Sequence, residues 1–294
     1  MRLSVESLEV CAKLGDEEGL RLIKNAGFDA VDFSYCGLPE NFPVLGEGYR
    51  EYAHKLRAHL DNLGLVCNQA HAPFNLTRTE KLDMSEPHYS EIVRAIEAAA
   101  ILGAENIIVH HVYIPVGETV NGISYEEYNH IFYKSLEPYC KEYGINIAIE
   151  NMFYYDVKKR RHKGMLHTPQ ALKAFIEGLN SPYFTACIDI GHLAITGYEP
   201  EEIVREMEPS ILKALHIHDN DYLSDRHNLP FTGGINWKNV MSALKKIGYT
   251  GDLTFEICSY LGNFSNELIP DALKFAQKVG RHLISLFEKC GEED

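Results

Sequence analysis

Thr185-Ala186-Cys187-Ile188-Asp189 is a short apolar run that closes on a carboxylate, and the same design recurs along the chain. Asn106-Ile107-Ile108-Val109-His110, Asn146-Ile147-Ala148-Ile149-Glu150, Ala214-Leu215-His216 and Asp252-Leu253-Thr254-Phe255-Glu256 repeat it, and Val66-Cys67-Asn68-Gln69-Ala70-His71 is a more polar version. Apolar runs this short, bounded by turn signals, read as buried strands. Each ends in a side chain able to ligate a metal ion. In a parallel barrel all strand C-termini open on one face, so groups distant in sequence converge there. The spacing therefore predicts a fold and also where its chemistry sits.

Working outward, strand-like segments near 2–5, 29–34, 65–70, 105–110, 145–150, 184–189, 212–218 and 252–257 alternate with helical stretches. Those helices fall near 16–26, 49–63, 86–102, 124–143, 168–178, 199–207, 237–247 and 268–289. Gly27, Gly64, Gly103, Gly144 and Gly248 each follow a helical stretch just before a strand, where glycine's left-handed conformation ends a helix. Ser85, Thr168 and Asn236 precede helix starts as cap-like residues. Eight strand-helix units in one chain predict an α/β protein folded as a single (β/α)8 TIM barrel, one catalytic domain over residues 1–294. No Gly-x-Gly-x-x-Gly turn follows the first strand, which weakens a doubly wound dinucleotide-binding sheet.

With 45% apolar and 24% charged residues, the composition is that of an ordinary globular enzyme. Two acids in Met1-Arg2-Leu3-Ser4-Val5-Glu6-Ser7-Leu8-Glu9 stand where a signal peptide needs an apolar core, and no run approaches membrane-spanning length. A cytoplasmic protein with no membrane partner is expected. The seven cysteines are scattered and never spaced Cys-x-x-Cys, so reduced thiols are the simplest reading. A net charge of −14 argues against nucleic acid as a partner, because phosphate binding draws on surplus Lys and Arg. Small polar metabolites fit better.

Glu150, Asp189, His216 and Glu256 would offer three carboxylates and one imidazole from four strand ends. So oxygen-rich a set suits Mn2+, Mg2+ or Co2+ better than a sulfur-lined zinc site. Crowded carboxylates with no cation would be costly, which favours a metal site over four separate helix caps.

Here the residues resemble a known group. Ile149-Glu150-Asn151, Ile188-Asp189-Ile190-Gly191-His192, Leu215-His216-Ile217-His218-Asp219-Asn220 and Gly233-Gly234-Ile235-Asn236-Trp237 resemble the xylose isomerase-like superfamily of sugar isomerases and epimerases, of which endonuclease IV is a related branch. The resemblance covers essentially the whole chain. It implies one divalent cation on Glu150, Asp189, His216 and Glu256, with Mn2+ as the leading candidate and Mg2+, Co2+ and Zn2+ as the others. It also implies that Glu150 and Glu256 face opposite sides of a sugar or sugar phosphate as the catalytic acid and base of an enediolate mechanism. Subunits of such barrels commonly pair, so a homo-oligomer is expected.

His71, His110, His192, Asp225, Arg226 and His227 are expected to bind substrate or a second metal. Asp225-Arg226-His227 also resembles the segment with which endonuclease IV holds an additional zinc, so the alternative is a zinc phosphodiesterase acting on abasic DNA. A lyase or dehydratase could use the same enediolate, and a non-catalytic binder is the third class. Asp189-Ile190-Gly191-His192 departs from the Asp-Thr-Cys-His form associated with endonuclease IV, and no array of basic and apolar residues suits wedging into a kinked duplex. Ketohexose epimerases place an arginine a few residues after the metal histidine, where this chain has Tyr222, a departure from that pattern for which Arg226 is the nearby candidate. The basic run Lys158-Lys159-Arg160-Arg161-His162-Lys163 reads as a solvated loop or subunit contact, or as a clamp for a substrate anion. Trp237 is expected to pack at the barrel rim.

Overall fold

A computed structural model describes residues 1–36, 46–74, 87–113, 119, 122–156 and 158–290. The chain runs β1 (Leu3–Glu6), α1 (Leu8–Leu14), α2 (Asp16–Ala26), β2 (Ala30–Ser34), α3 (Tyr49–Leu63), β3 (Val66–His71), α4 (Pro87–Leu102), β4 (Asn106–Ile108) and α5 (Tyr125–Tyr143). It continues through β5 (Asn146–Glu150), β6 (Met152–Asp156), β7 (Arg161–Met165), α6 (Pro169–Gly178), β8 (Phe184–Asp189), α7 (Ile190–Ile195) and α8 (Pro200–Glu206). The last elements are β9 (Leu212–His216), α9 (Trp237–Lys246), β10 (Leu253–Phe255), α10 (Cys258–Gly262) and α11 (Ile269–Lys289). Eight parallel strands pair in the order β10-β1-β2-β3-β4-β5-β8-β9. The ring closes where Ile217 N donates to Thr254 O (2.9 Å) and Glu256 N donates to Ile217 O (3.1 Å). This is the (β/α)8 barrel that the strand-helix alternation predicts.

Local chemistry sets the boundaries. All five expected glycine stops have positive φ: Gly27 (99°), Gly64 (62°), Gly103 (88°), Gly144 (69°) and Gly248 (74°). Thr168 and Asn236 cap α6 and α9 by accepting from Ala171 N and Asn239 N, and Ser124 caps α5 through Glu127 N, all at 3.2 Å. Ser85 lies outside the described residues. Two departures follow from length. Helices α1, α7 and α10 are too short to show a 3.6-residue period. The basic run is not a loop throughout: Arg161, His162 and Lys163 belong to β7, which pairs antiparallel with β6 in a hairpin between β5 and α6.

Inside the barrel, apolar packing gives way to a hydrogen-bonded polar floor. Ser4 Oγ donates to Asn68 Oδ1 (2.7 Å), Asn68 Nδ2 to Thr254 Oγ1 (3.3 Å), Thr254 Oγ1 to Gln69 Oε1 (3.2 Å) and Gln69 Nε2 to Asp32 Oδ2 (2.8 Å). Fully buried polar groups persist only when paired, so this chain fixes the rotamers at the base of the site. Ile108, Ala148, Cys187 and Ala214 fill the opposite half of the interior. Cys187 is thus a small hydrophobe, as expected, and all seven thiols are free.

Candidate metal centre

The ends of β5, β8 and β9 and the residue after β10 bring Glu150, Asp189, His216 and Glu256 together, all buried, with their ligand-type atoms within 4.8 Å of one another. His216 Nδ1 stands 2.9 Å from Glu150 Oε1 and 3.3 Å from Glu256 Oε2. Its Nε2 faces Asp32 Oδ2 at 3.4 Å. A carboxylate behind the distal nitrogen fixes the ring's orientation and leaves the proximal nitrogen for a cation. Glu150 Oε2 meets His110 Nε2 at 2.8 Å.

His71, His110 and Glu150 form an adjoining group, and His71, His216 and Glu256 another, within the same 4.8 Å limit. Cys36 Sγ lies 2.8 Å from His71 Nδ1, which leaves His71 Nε2 for the cluster. On the other flank, His192, His218, Asp225 and His227 converge. His192 Nδ1 lies 2.9 Å from Asn151 O, and Asn151 Oδ1 accepts from Asp189 N (2.7 Å). Asp189 caps α7 by accepting from His192 N (2.7 Å), which ties its carboxylate to the imidazole three residues on.

One expected residue stands apart. Arg226 is half-exposed, pairs with Asp221 at 2.7 Å and donates to Ser224, and it does not line the cavity. Tyr222 donates to Glu199 at 3.0 Å, also away from the cavity. Two buried carboxylates, Asp32 and Glu6, were missed by the sequence reading. The signal existed, since Glu6 ends β1 by the same strand-end rule and Asp32 is the lone acid in β2.

The fields around the two glutamates differ in sign. Burial pushes Glu150 up, but His216 and His110 outweigh it and hold this carboxyl well below the usual range. At Glu256 burial prevails over His216 and His227, with Glu6 and Glu150 adding to it, and the carboxyl stays well above that range. Burial also opposes the shift at Asp189, yet His192 and His218 draw it down to about 2. His192 rises to about 10 against its own burial through Asp189 and Asp225. Burial, then His110 and His216, hold His71 neutral, the form that ligates.

The donor set fits a cation. Glu256 Oε2, His71 Nε2 and Asp225 Oδ1 are buried without a hydrogen-bond partner, and such atoms are rare in protein interiors unless an ion or water completes them. Above the cluster opens a cavity of about 540 Å³. Glu150, Glu256, His71, His110, His192, Asp225 and His227 line its polar side, with Leu8, Phe74, Met152 and Phe153 as an apolar wall. Phe153 packs edge-on against His192, with ring centroids 4.9 Å apart.

Barrel and strand-end cluster together define a class, and the sequence places the chain within it. Residues 20–279 match the family described as Xylose isomerase-like TIM barrel, and the chain belongs to that family. The uncharacterized protein MJ1311 of Methanocaldococcus jannaschii is 29% identical over 242 residues, 76% of this chain and 72% of that one. Among solved structures, a D-tagatose 3-epimerase-like protein superposes with a TM-score of 0.74 at 24% identity, covering 98% of this chain and 99% of that one. An IOLI protein with a binding zinc atom superposes at 0.72 with 17% identity, covering 98% and 99%. At these identities the superpositions speak for the fold. Among the described residues no helix is long and apolar enough to cross a membrane.

Proposed function

We propose that the protein is a divalent-metal-dependent sugar isomerase or epimerase that works by moving a carbon-bound proton. The observation that carries this reading is the buried Glu150-Asp189-His216-Glu256 group opening into a cavity with one polar and one apolar wall. The likeness to a D-tagatose 3-epimerase-like structure supports it. Those four residues would hold a divalent cation, with Mn2+ ahead of Mg2+, Co2+ and Zn2+, and it would supply polarisation of a substrate carbonyl and its neighbouring hydroxyl. Glu150, kept ionised by His216 and His110, takes the proton from the adjacent carbon. Glu256, the other member of the pair, delivers a proton. Return to the opposite face inverts the carbon, whereas return to the neighbouring carbon interconverts aldose and ketose. Phe74, Met152 and Phe153 supply the apolar wall against which a sugar's carbon face packs and exclude water from the reacting carbon.

The cluster of His192, His218, Asp225 and His227 favours a second reading, a phosphodiesterase holding several ions. One experiment separates them: elemental analysis of the purified protein, with deuterium exchange into sugars and cleavage of an abasic duplex followed in parallel. The isomerase reading expects about one ion per chain, exchange at a carbon next to a carbonyl, and no cleavage. Glu150→Gln and Glu256→Gln should fold normally yet lose at least roughly 100-fold in exchange rate. Unimpaired exchange in both variants, or several zinc ions with strand cleavage, would sink it.

A further inference from the structure

Where Asp32 stands behind His216 and the Asn151 carbonyl behind His192, a thiol stands behind His71. Pairing of β2 with β3 sets Ser34 beside His71, and Tyr35 N donates to His71 O (2.8 Å), so the chain leaving β2 carries Cys36 against the His71 ring. Cys36 Sγ lies 2.8 Å from Nδ1 and donates to Ala72 O at 3.1 Å. Nδ1 is itself 3.3 Å from that carbonyl, and Ala72 is anchored by its own N–H, which donates to Ile108 O (2.8 Å). A neutral imidazole carries one proton, on one nitrogen or the other. A carbonyl oxygen can only accept, and a sulfur whose proton is engaged with that carbonyl is left as an acceptor too. Both neighbours of Nδ1 therefore call for an N–H there, which leaves Nε2 with a bare lone pair. His71 is 2% exposed and its Nε2 is buried with no hydrogen-bond partner. The ring reaches the centre from two sides, grouped with His110 and Glu150 and again with His216 and Glu256. An alanine would fill the space behind it without either contact of the sulfur, so packing alone gives no reason for a thiol placed between ring and carbonyl.

Resting on the cation site of the proposed function but not on its sugar chemistry, we infer that Cys36 is a positioning residue: with the Ala72 carbonyl it keeps the His71 proton on Nδ1, so that Nε2 meets the centre as a lone-pair donor to a cation. The test reads the 15N imidazole resonances of the metal-free full chain, labelled at histidine and held above the ordinary imidazole range of pH, with His71→Gln assigning the signal. Co2+ binding is followed alongside by titration calorimetry. The unsubstituted protein should carry the His71 proton on Nδ1. Cys36→Ala should shift the tautomer ratio by roughly 10-fold toward the Nε2–H form, the worth of about one hydrogen bond, and weaken Co2+ binding by about 10- to 100-fold. Cys36→Ser, whose hydroxyl can accept from Nδ1 and donate to the carbonyl as the thiol does, should restore both to within about threefold. A proton on Nε2 in the unsubstituted protein overturns the role of Cys36, and that spectrum decides the tautomer even where Cys36→Ala fails to fold. A ratio unmoved by Cys36→Ala overturns it equally, since a merely structural thiol would lower stability and leave the tautomer alone. A ratio that shifts while Co2+ affinity does not overturns Nε2 as a ligand. Failure of the unsubstituted protein to bind Co2+ overturns the cation site and this inference with it, whereas failure to act on any sugar with Co2+ bound overturns the isomerase reading alone.

Discussion

His216 shows how much of the cluster depends on residues standing behind it. Its Nδ1 faces Glu150 and Glu256 while Asp32, 3.4 Å behind Nε2, holds the ring from the other side. Asp32 is itself fixed by Gln69 at the polar floor. Asp32→Ala should therefore weaken divalent-cation affinity by about 10- to 100-fold without unfolding the barrel, measured by titration calorimetry with Mn2+; unchanged affinity would remove Asp32 from the centre. At this scale the sequence was informative for side chains that end strands. Glu150, Asp189, His216 and Glu256 were legible because an ionisable group closing an apolar run has few structural reasons to be there. Asp32, the lone acid of β2, gave a weaker signal, because it sits inside a strand whose inward side only closure of the barrel defines. Arg226 illustrates the opposite case: the arginine that ketohexose epimerases carry near the position of Tyr222 suggested the pocket, but Asp221 and Ser224 hold its guanidinium outside.

The segment from β9 to α9 carries much of the second cluster without regular structure, and Asp219 organises it. Its carboxylate accepts from Phe231 N (2.8 Å), Ile235 N (3.2 Å) and Trp237 Nε1 (2.9 Å). The loop bends sharply around it, with positive φ at Tyr222 (63°), His227 (40°) and Phe231 (72°). A Cβ on Gly233 would come within 2.2 Å of Asn220 O, so only glycine permits that approach. Trp237→Phe keeps the ring packing but leaves one oxygen of a buried carboxylate short of a donor, and should cost about 1–3 kcal/mol in chemical unfolding. A loss confined to a few tenths of that would mean that Asp219 does not depend on the indole. Tryptophan at the rim was readable from its place after Gly233-Gly234 and before a capped helix; its bond to Asp219, 18 residues earlier, was not. The β6–β7 hairpin was misread for a related reason. Its pairing sets Tyr155 opposite His162 and Asp156 opposite Arg161, and Lys163 pairs with Asp156 at 3.1 Å, so cross-strand partners organise a charge run that read as a solvated loop, a subunit contact or an anion clamp.

Across the whole molecule, buried imidazoles couple the fold to pH. His111 is buried beside Tyr125, and burial together with His110 lowers its pKa to about 3 from an ordinary value near 6.5. The unfolded chain takes up this proton near 6.5, while the folded protein refuses it until about 3. This contribution to stability is therefore present above 6.5 and is lost as pH falls through that window. His111→Phe, which keeps a ring in place, should lose less stability than the unsubstituted protein between about pH 7.5 and about pH 4.5, read from urea midpoints. Equal losses would show that His111 titrates normally. Strand-helix alternation, glycine stops and caps are local signals, and they were enough to determine the barrel, since eight such units close in few ways. The strand-end rule also determined on which face Glu150, Asp189, His216 and Glu256 gather. Tertiary structure alone decided what stands behind and beside those ends: Asp32 behind His216, Glu6 between Asp32 and the Glu256 strand, and Arg226 turned outward. These relations depend on register between strands distant in the chain and on a closed ring, and a linear pattern of residue types carries neither.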